Sequence, residues 1–313
     1  MSILSSGLAH AAGALGRQTL TVAHDSWIGY SGFYVALAQG YFDEAGLTVK
    51  EAKFSGPGDA LPPLLAGHVD VALTTLYNVA VLAARGERSA RAIYLLDTSN
   101  GADAIVASPS IRSVADLQGK DVAVTVGEVN QLLLRKALAA ADVSESRLRI
   151  VDMNADDAGA ALLAGRVQAA VTWEPWVSRA LAKGNHVIYS SSDTPDLILD
   201  AVVVTRQELA ARGDALMRFL RALDRGVAFL RAHPDSACAD VARALTVAAD
   251  DVQPMLAHDR IYSLADNRRL LVPDGAGPRA LGAIGEFLRS RGILRDEIDA
   301  EQILTSQLLP RSP

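Results

Sequence analysis

Short apolar runs alternate with segments of helical apolar spacing along most of this chain. Thr19 to His24 predicts a strand, and Phe33 to Glu44 predicts a helix, with Phe33, Leu37 and Tyr41 at i, i+4 and i+8 and Gly46 as its stop. Leu47 to Ala52, Val69 to Leu73 and Ala92 to Leu96 predict further strands, separated by helices over Ala60 to Ala66 and Asn78 to Ala84. Strand, helix, strand in repetition predicts parallel pairing through right-handed crossovers. A second unit follows Asp103. Ala104 to Ala107 reads as extended and Ser113 to Leu117 as a capped turn. Strands are then predicted over Asp121 to Val126, Leu148 to Asp152, Val167 to Thr172, His186 to Tyr189 and Ala201 to Thr205. The helices between them cover Asn130 to Ala141, Ala155 to Ala164 and Pro175 to Ala182, and Gln207 to Gln307 reads as nearly all helical. Asp214 to Arg231 is the strongest amphipathic stretch.

This pattern predicts an α/β fold of two lobes. Lobe 1 is discontinuous, 19–103 with 204–313, and lobe 2 is 104–203. The crossings near Ala104 and Val203 read as strands rather than coil, which describes a hinge able to close one lobe on the other. The uncharged, small-residue stretch 1–18 reads as a leader or residual export signal.

Length and composition agree with two packed lobes, since 313 residues at 50% hydrophobic can fill two cores. A formal charge of −6 argues against a nucleic-acid groove. Cys238 is alone, which excludes an internal disulfide and a cysteine-based metal site. No apolar run approaches the about 20 residues that cross a bilayer. Enzyme motifs fail in detail: Gly29-Tyr30-Ser31-Gly32 lacks the nucleophile-elbow spacing, and neither Gly56-Pro57-Gly58 nor Gly275-Ala276-Gly277 completes a dinucleotide fingerprint.

Candidate chemistry gathers where predicted strands end, the edge at which open α/β sheets bind ligands. Asp25, Trp27 and Tyr30 follow the first strand, and an indole and a phenol beside a carboxylate suit an ammonium or amidinium group. Thr75 ends the third strand and Asn78 opens the next helix, either as ligand donors or as an ordinary cap. Asp97 and Asp103 bracket Asn100-Gly101, and Glu128 stands at a helix start favoured by the dipole. Trp173 and Glu174 are displayed at a strand-to-helix corner, with Pro175 in the first helical turn, and Asp200 precedes the second crossing. Trp176 reads as packing. Arg85, Arg112, Lys120, Arg135, Arg166 and Arg179 fall away from this edge. The residues therefore point to a cationic or zwitterionic nitrogenous solute.

Five words in order carry a resemblance: Ala36 to Phe42 with Gly46-Leu47, Leu65 to Ala72, Asp116 to Lys120, Ala164 to Val171, and Trp173-Glu174-Pro175-Trp176. Across roughly Leu20 to Leu288 the chain resembles the solute-binding proteins of ABC importers for nitrate, sulfonates, taurine and thiamine-pyrimidine precursors. The resemblance implies a type II periplasmic-binding-protein fold, no enzymatic activity, no cofactor, a monomer in the periplasm, and delivery of solute to a permease with its ATPase. It also implies that the Trp173-Glu174 corner contacts ligand. Aliphatic sulfonate, taurine or nitrate stays open as the solute, as does an enzyme of thiamine-pyrimidine or menaquinone synthesis on the same fold.

Overall fold

The structure is a computed structural model, and it describes residues 17–309. The expected leader 1–18 lies outside the described residues except for its last two, of which Gln18 opens the first strand. Among the described residues, eleven strands form two mixed sheets. The first sheet contains β1 (Gln18–His24), β2 (Leu47–Lys53), β3 (Val71–Thr75) and β4 (Ala90–Ser99). The second contains β5 (Asp103–Ala107), β6 (Asp121–Val124), β7 (Arg149–Asp152), β8 (Ala169–Trp173) and β9 (His186–Ser190). The chain then returns to the first sheet with β10 (Leu199–Thr205) and β11 (Asp259–Ile261). Strand order is β11-β4-β10-β3-β1-β2 in the first sheet and β7-β6-β8-β5-β9 in the second.

Several sequence expectations need correction. The helix expected over Phe33 to Glu44 is two, Ser31–Ala38 and Tyr41–Glu44, because Gly40 adopts a left-handed φ of 73° between them. β1 pairs in parallel with β2 and β3 as expected, but β10 runs antiparallel between β3 and β4 and separates them. Periodicity does not report strand direction, and a strand buried on both faces reads alike either way. The return crossing occupies 191–198 rather than the neighbourhood of Val203, since β10 is already in the first sheet from Leu199. β11 escaped notice because three residues, two of them charged, carry no period. Helix Trp176–Ala182 starts one residue late, with Pro175 as its cap.

The two crossings are fastened to each other. Ser191 Oγ accepts from the Gly101 amide at 2.7 Å and lies 2.8 Å from Ser99 Oγ, while the Ser99 amide donates to the Ile198 carbonyl at 3.1 Å. Both sheets thus turn the carboxyl ends of their parallel strands towards one shared seam. Behind the first sheet, helix Ser31–Ala38 crosses the long helix Arg206–Ala232 at small residues. A Cβ on Gly226 would collide with the Gly32 carbonyl, and one on Gly32 would meet the Val227 side chain. Helix Ser31–Ala38 directly follows the segment that carries Trp27 and Tyr30. Gly226→Val should therefore lower stability in urea by about 1–3 kcal/mol or more, as overpacked cores do. An unchanged midpoint would contradict the role of the close approach.

Candidate solute-binding site

The seam holds a small cavity of about 10 Å³. That is room for about one water molecule. Seven of the ten residues expected at the site line it: Asp25, Trp27, Tyr30, Thr75, Asp103, Trp173 and Asp200. Pro57, Val129 and Ile198 complete the lining, and no lysine, arginine or histidine is part of it.

Strand register explains the convergence. Asp25, Trp27 and Tyr30 continue from the end of β1, and Thr75 is the last residue of β3. Asp200 on β10 stands directly opposite Thr75 on one side and Asp97 on the other. Asp103 opens β5 opposite Trp173, the last residue of β8. Two indoles therefore come from different sheets, and their rings meet edge to face at 6.2 Å between centroids. Each is held by an acid through its N–H: Trp27 Nε1 donates to Asp97 Oδ1 at 3.2 Å, and Trp173 Nε1 donates to Asp156 Oδ1 at 2.9 Å. Trp176 shares that Asp156 oxygen at 2.8 Å, which makes it a support rather than a wall.

Tyr30 Oη donates to Asp200 Oδ1 at 3.0 Å, but Asp25 Oδ1 is buried without a hydrogen-bond donor. Burial, reinforced by Asp200 and Asp156, pushes the Asp25 carboxyl well above the usual carboxylate range. Burial raises Asp103 to about 7, against a hydrogen bond involving Ser99 that lowers it. Burial and the nearby Asp103 raise Asp200 to about 7. These carboxyls are costly to ionise here because no opposite charge accompanies them.

Three expected site residues stand elsewhere. Glu174 does not line the cavity: Ser178 donates to it from its backbone N–H at 3.0 Å and from its hydroxyl at 2.8 Å. An acid one residue before a proline cap is well placed to satisfy the free amides of the first turn, and that local use competes with display. Asn78 and Glu128 form a bond of their own, with Asn78 Nδ2 donating to Glu128 Oε2 at 2.7 Å. Asn78 belongs to helix Leu76–Ala84 behind the first sheet, and Glu128 precedes helix Val129–Ala140 of the second. The pair therefore bridges the seam beside the cavity. Burial raises Glu128 to about 7 against the Asn78 hydrogen bond. Thr75 also caps its helix, accepting the Asn78 amide at 3.2 Å, while remaining on the cavity wall.

Sequence reasoning undervalued Asp97 and missed Asp156 and Asp259. Asp97 is fully buried in a β4 run that otherwise reads as core, and a charged residue within an apolar strand was the available signal. Asp156 sits in an acidic first helical turn, where it looks like a dipole partner.

The region from 27 to 237 matches the family described as NMT1/THI5 like. The chain belongs to this family. A Brucella abortus relative provisionally named a binding protein is 24% identical over 279 residues, covering 88% of this chain and 86% of that one. A Bacillus subtilis relative provisionally named for binding aliphatic sulfonates is 26% identical over 65% of this chain and 63% of that one. The alkanesulfonate-binding protein SsuA from Xanthomonas axonopodis pv. citri, solved with MOPS, superposes with a TM-score of 0.77 at 17% identity. That superposition covers 93% of this chain and 99% of the other, and it shows the periplasmic-binding-protein fold. Family and fold together support a solute-binding role. Among the described residues, no helix is long and apolar enough to cross a membrane.

The raised acids give stability a pH dependence of definite sign. Asp103 and Asp200 bind protons more tightly folded than unfolded between their ordinary value of 3.8 and about 7. Their contribution is fully present below the ordinary value and is lost as pH rises through about 7. The ligand-free chain should melt at progressively lower temperature from about pH 5 to about pH 8, and Asp103→Asn should flatten the slope. A melting temperature that rises across this range would contradict the assignment.

Proposed function

We propose that the chain is the substrate-binding component of an ABC importer and captures a small cationic or zwitterionic nitrogenous solute between two hinged lobes. One observation carries the reading: Asp25, Asp103 and Asp200 converge on a small cavity whose lining contains no basic side chain. A guest ammonium, amidinium or guanidinium group supplies the missing charge, and Trp27 and Trp173 add cation–π attraction of about 0.5–2 kcal/mol. Pro57 and Val129 close the walls against water.

Capture brings together residues from both sheets, so the occupied form is the closed one, and the 99–103 and 191–198 crossings are its hinges. Asn78 and Glu128 latch the closed form across the seam. The closed surface is what the permease and its ATPase engage, in the periplasm, and no bond of the solute is made or broken.

A sulfonate guest is the second reading, favoured by the names of the Bacillus and Xanthomonas proteins. The lining opposes it, because no arginine or lysine there meets the anion's charge. A thermal-shift series with guanidinium, small amines, urea, taurine, an alkanesulfonate and nitrate separates the two. Cations should raise the melting temperature and purely anionic sulfonates should not; the reverse order would overturn the cationic reading. With the cation so identified, Asp25→Asn and Asp200→Asn should each weaken binding at least about tenfold, equivalent to about 1.4 kcal/mol. Glu174→Gln should change it by less than about twofold (about 0.4 kcal/mol), because its carboxylate is engaged by Ser178. Calorimetry checks both, and a large loss from Glu174→Gln alone would return that residue to the cavity.

A further inference from the structure

We propose that solute capture here exchanges a cation for protons stored on a row of carboxyl groups, Asp200, Asp97 and Asp259, which runs from the cavity wall back across the first sheet. The proposal rests on the cationic reading above and adds what the acids behind the wall do.

Geometry makes the row. Asp200 and Asp97 are directly opposed across β10 and β4, and Asp259 on β11 is diagonal to Asp97 on the same face, since Ile261 opposes Asp97 and Asp259 opposes Ser99. Opposed side chains of this kind have Cβ atoms about 4.5–5.5 Å apart, and like charges there repel. Asp97 Oδ1 accepts the Trp27 indole N–H, while Asp97 Oδ2 and both oxygens of Asp259 are buried without a hydrogen-bond partner of ordinary geometry. A proton shared between the two carboxyls satisfies Asp97 Oδ2 and one oxygen of Asp259. Gly29 makes room for the arrangement, because a Cβ there would collide with the Asp97 carboxyl and the Trp27 ring.

No described basic group neutralises the row. The segment after β1 presents Asp25, Trp27 and Tyr30, and β5 presents Asp103. Tyr30 and Trp27 can only donate a neutral hydrogen bond. From the second sheet, Asp156 and Glu128 add further negative charge, felt at Asp25. His258 and Arg260 flank Asp259 in sequence, yet the His258 ring stands against Gly101 and the Arg260 guanidinium lies over the Tyr262 ring at 5.5 Å. Burial and the neighbouring acids push Asp97 and Asp259 well above the usual carboxylate range. Without solute, the row keeps protons at neutral pH. When a cation enters beside Asp200, ionisation becomes favourable, an O–H bond breaks, and the proton passes to solvent. One positive charge enters and up to one leaves, so the buried charge changes little.

Calorimetric titration of the full chain with guanidinium chloride at low millimolar concentration, in buffers of differing ionisation enthalpy at pH 7, counts the protons. About one proton released per guanidinium is expected. Asp259→Asn, at a residue that neither lines the cavity nor holds one of its indoles, should reduce that number while binding persists. Carbon-13 NMR of the aspartate carboxyls in the ligand-free wild-type chain supplies a reading that needs neither a ligand nor a folded variant. Buffer-dependent heats together with carboxyl carbons titrating near neutral pH support the exchange. Heats that are independent of buffer overturn it and leave cation binding intact. Carboxyl carbons that all titrate in the ordinary acidic range overturn it whatever guanidinium does.

Discussion

Burying a carboxylate without a counter-charge costs several kcal/mol unless it takes up a proton or finds a cation. In this chain that cost is incurred repeatedly at one place, with Asp25, Asp97, Asp103 and Asp200 all at most 3% exposed. Elsewhere acids are paired in ordinary ways, as Asp70 is with Arg212 and Glu145 with Arg135. Among the described residues, uncompensated buried acids thus gather at the seam between the sheets and in the row behind it. A concentration of unfavourable burial at the strand ends of an α/β fold is the signature of a site whose remaining partner comes from outside.

The rest of the architecture makes that arrangement stable enough to persist. β10 returns antiparallel between β3 and β4 and brings Asp200 into line with both Thr75 and Asp97. Tyr94 and Asn267 tie β4 to the C-terminal helices, with Tyr94 Oη donating to the Tyr262 carbonyl and Asn267 Oδ1 accepting the Leu95 amide at 2.6 Å. Phe42 and Phe219 stack, and Phe33, just after the segment that carries Trp27 and Tyr30, packs tilted against both. These contributions offset the carboxyl cost, and each wall indole is kept in orientation by the acid that accepts its N–H.

Much of this was legible in the sequence, for identifiable reasons. Strand runs and helical spacing predicted two α/β units, and the rule that ligands meet strand ends selected Asp25, Trp27, Asp103, Trp173 and Asp200, which line one cavity. Sequence proximity misled at Glu174, because a side chain at a strand-to-helix corner can either face the cleft or cap its own helix, and spacing does not distinguish them. Asn78 and Glu128 meet only through the relative placement of two sheets, which no local pattern encodes. Asp97, Asp156 and Asp259 act through contacts 17 to 70 or more residues apart in sequence, or through register with a three-residue strand. Such contacts become visible only when the strands are paired.

The central claim is that neutralising a site acid removes a penalty from the ligand-free chain while removing a partner from the guest. Urea unfolding of ligand-free Asp200→Asn at pH 8 tests it most directly, since the carboxamide oxygen introduced there can still accept the Tyr30 hydroxyl. The account predicts that the variant is more stable than wild type by at least about 1 kcal/mol at pH 8, with the gain shrinking towards pH 5. A variant less stable than wild type at pH 8 would contradict it.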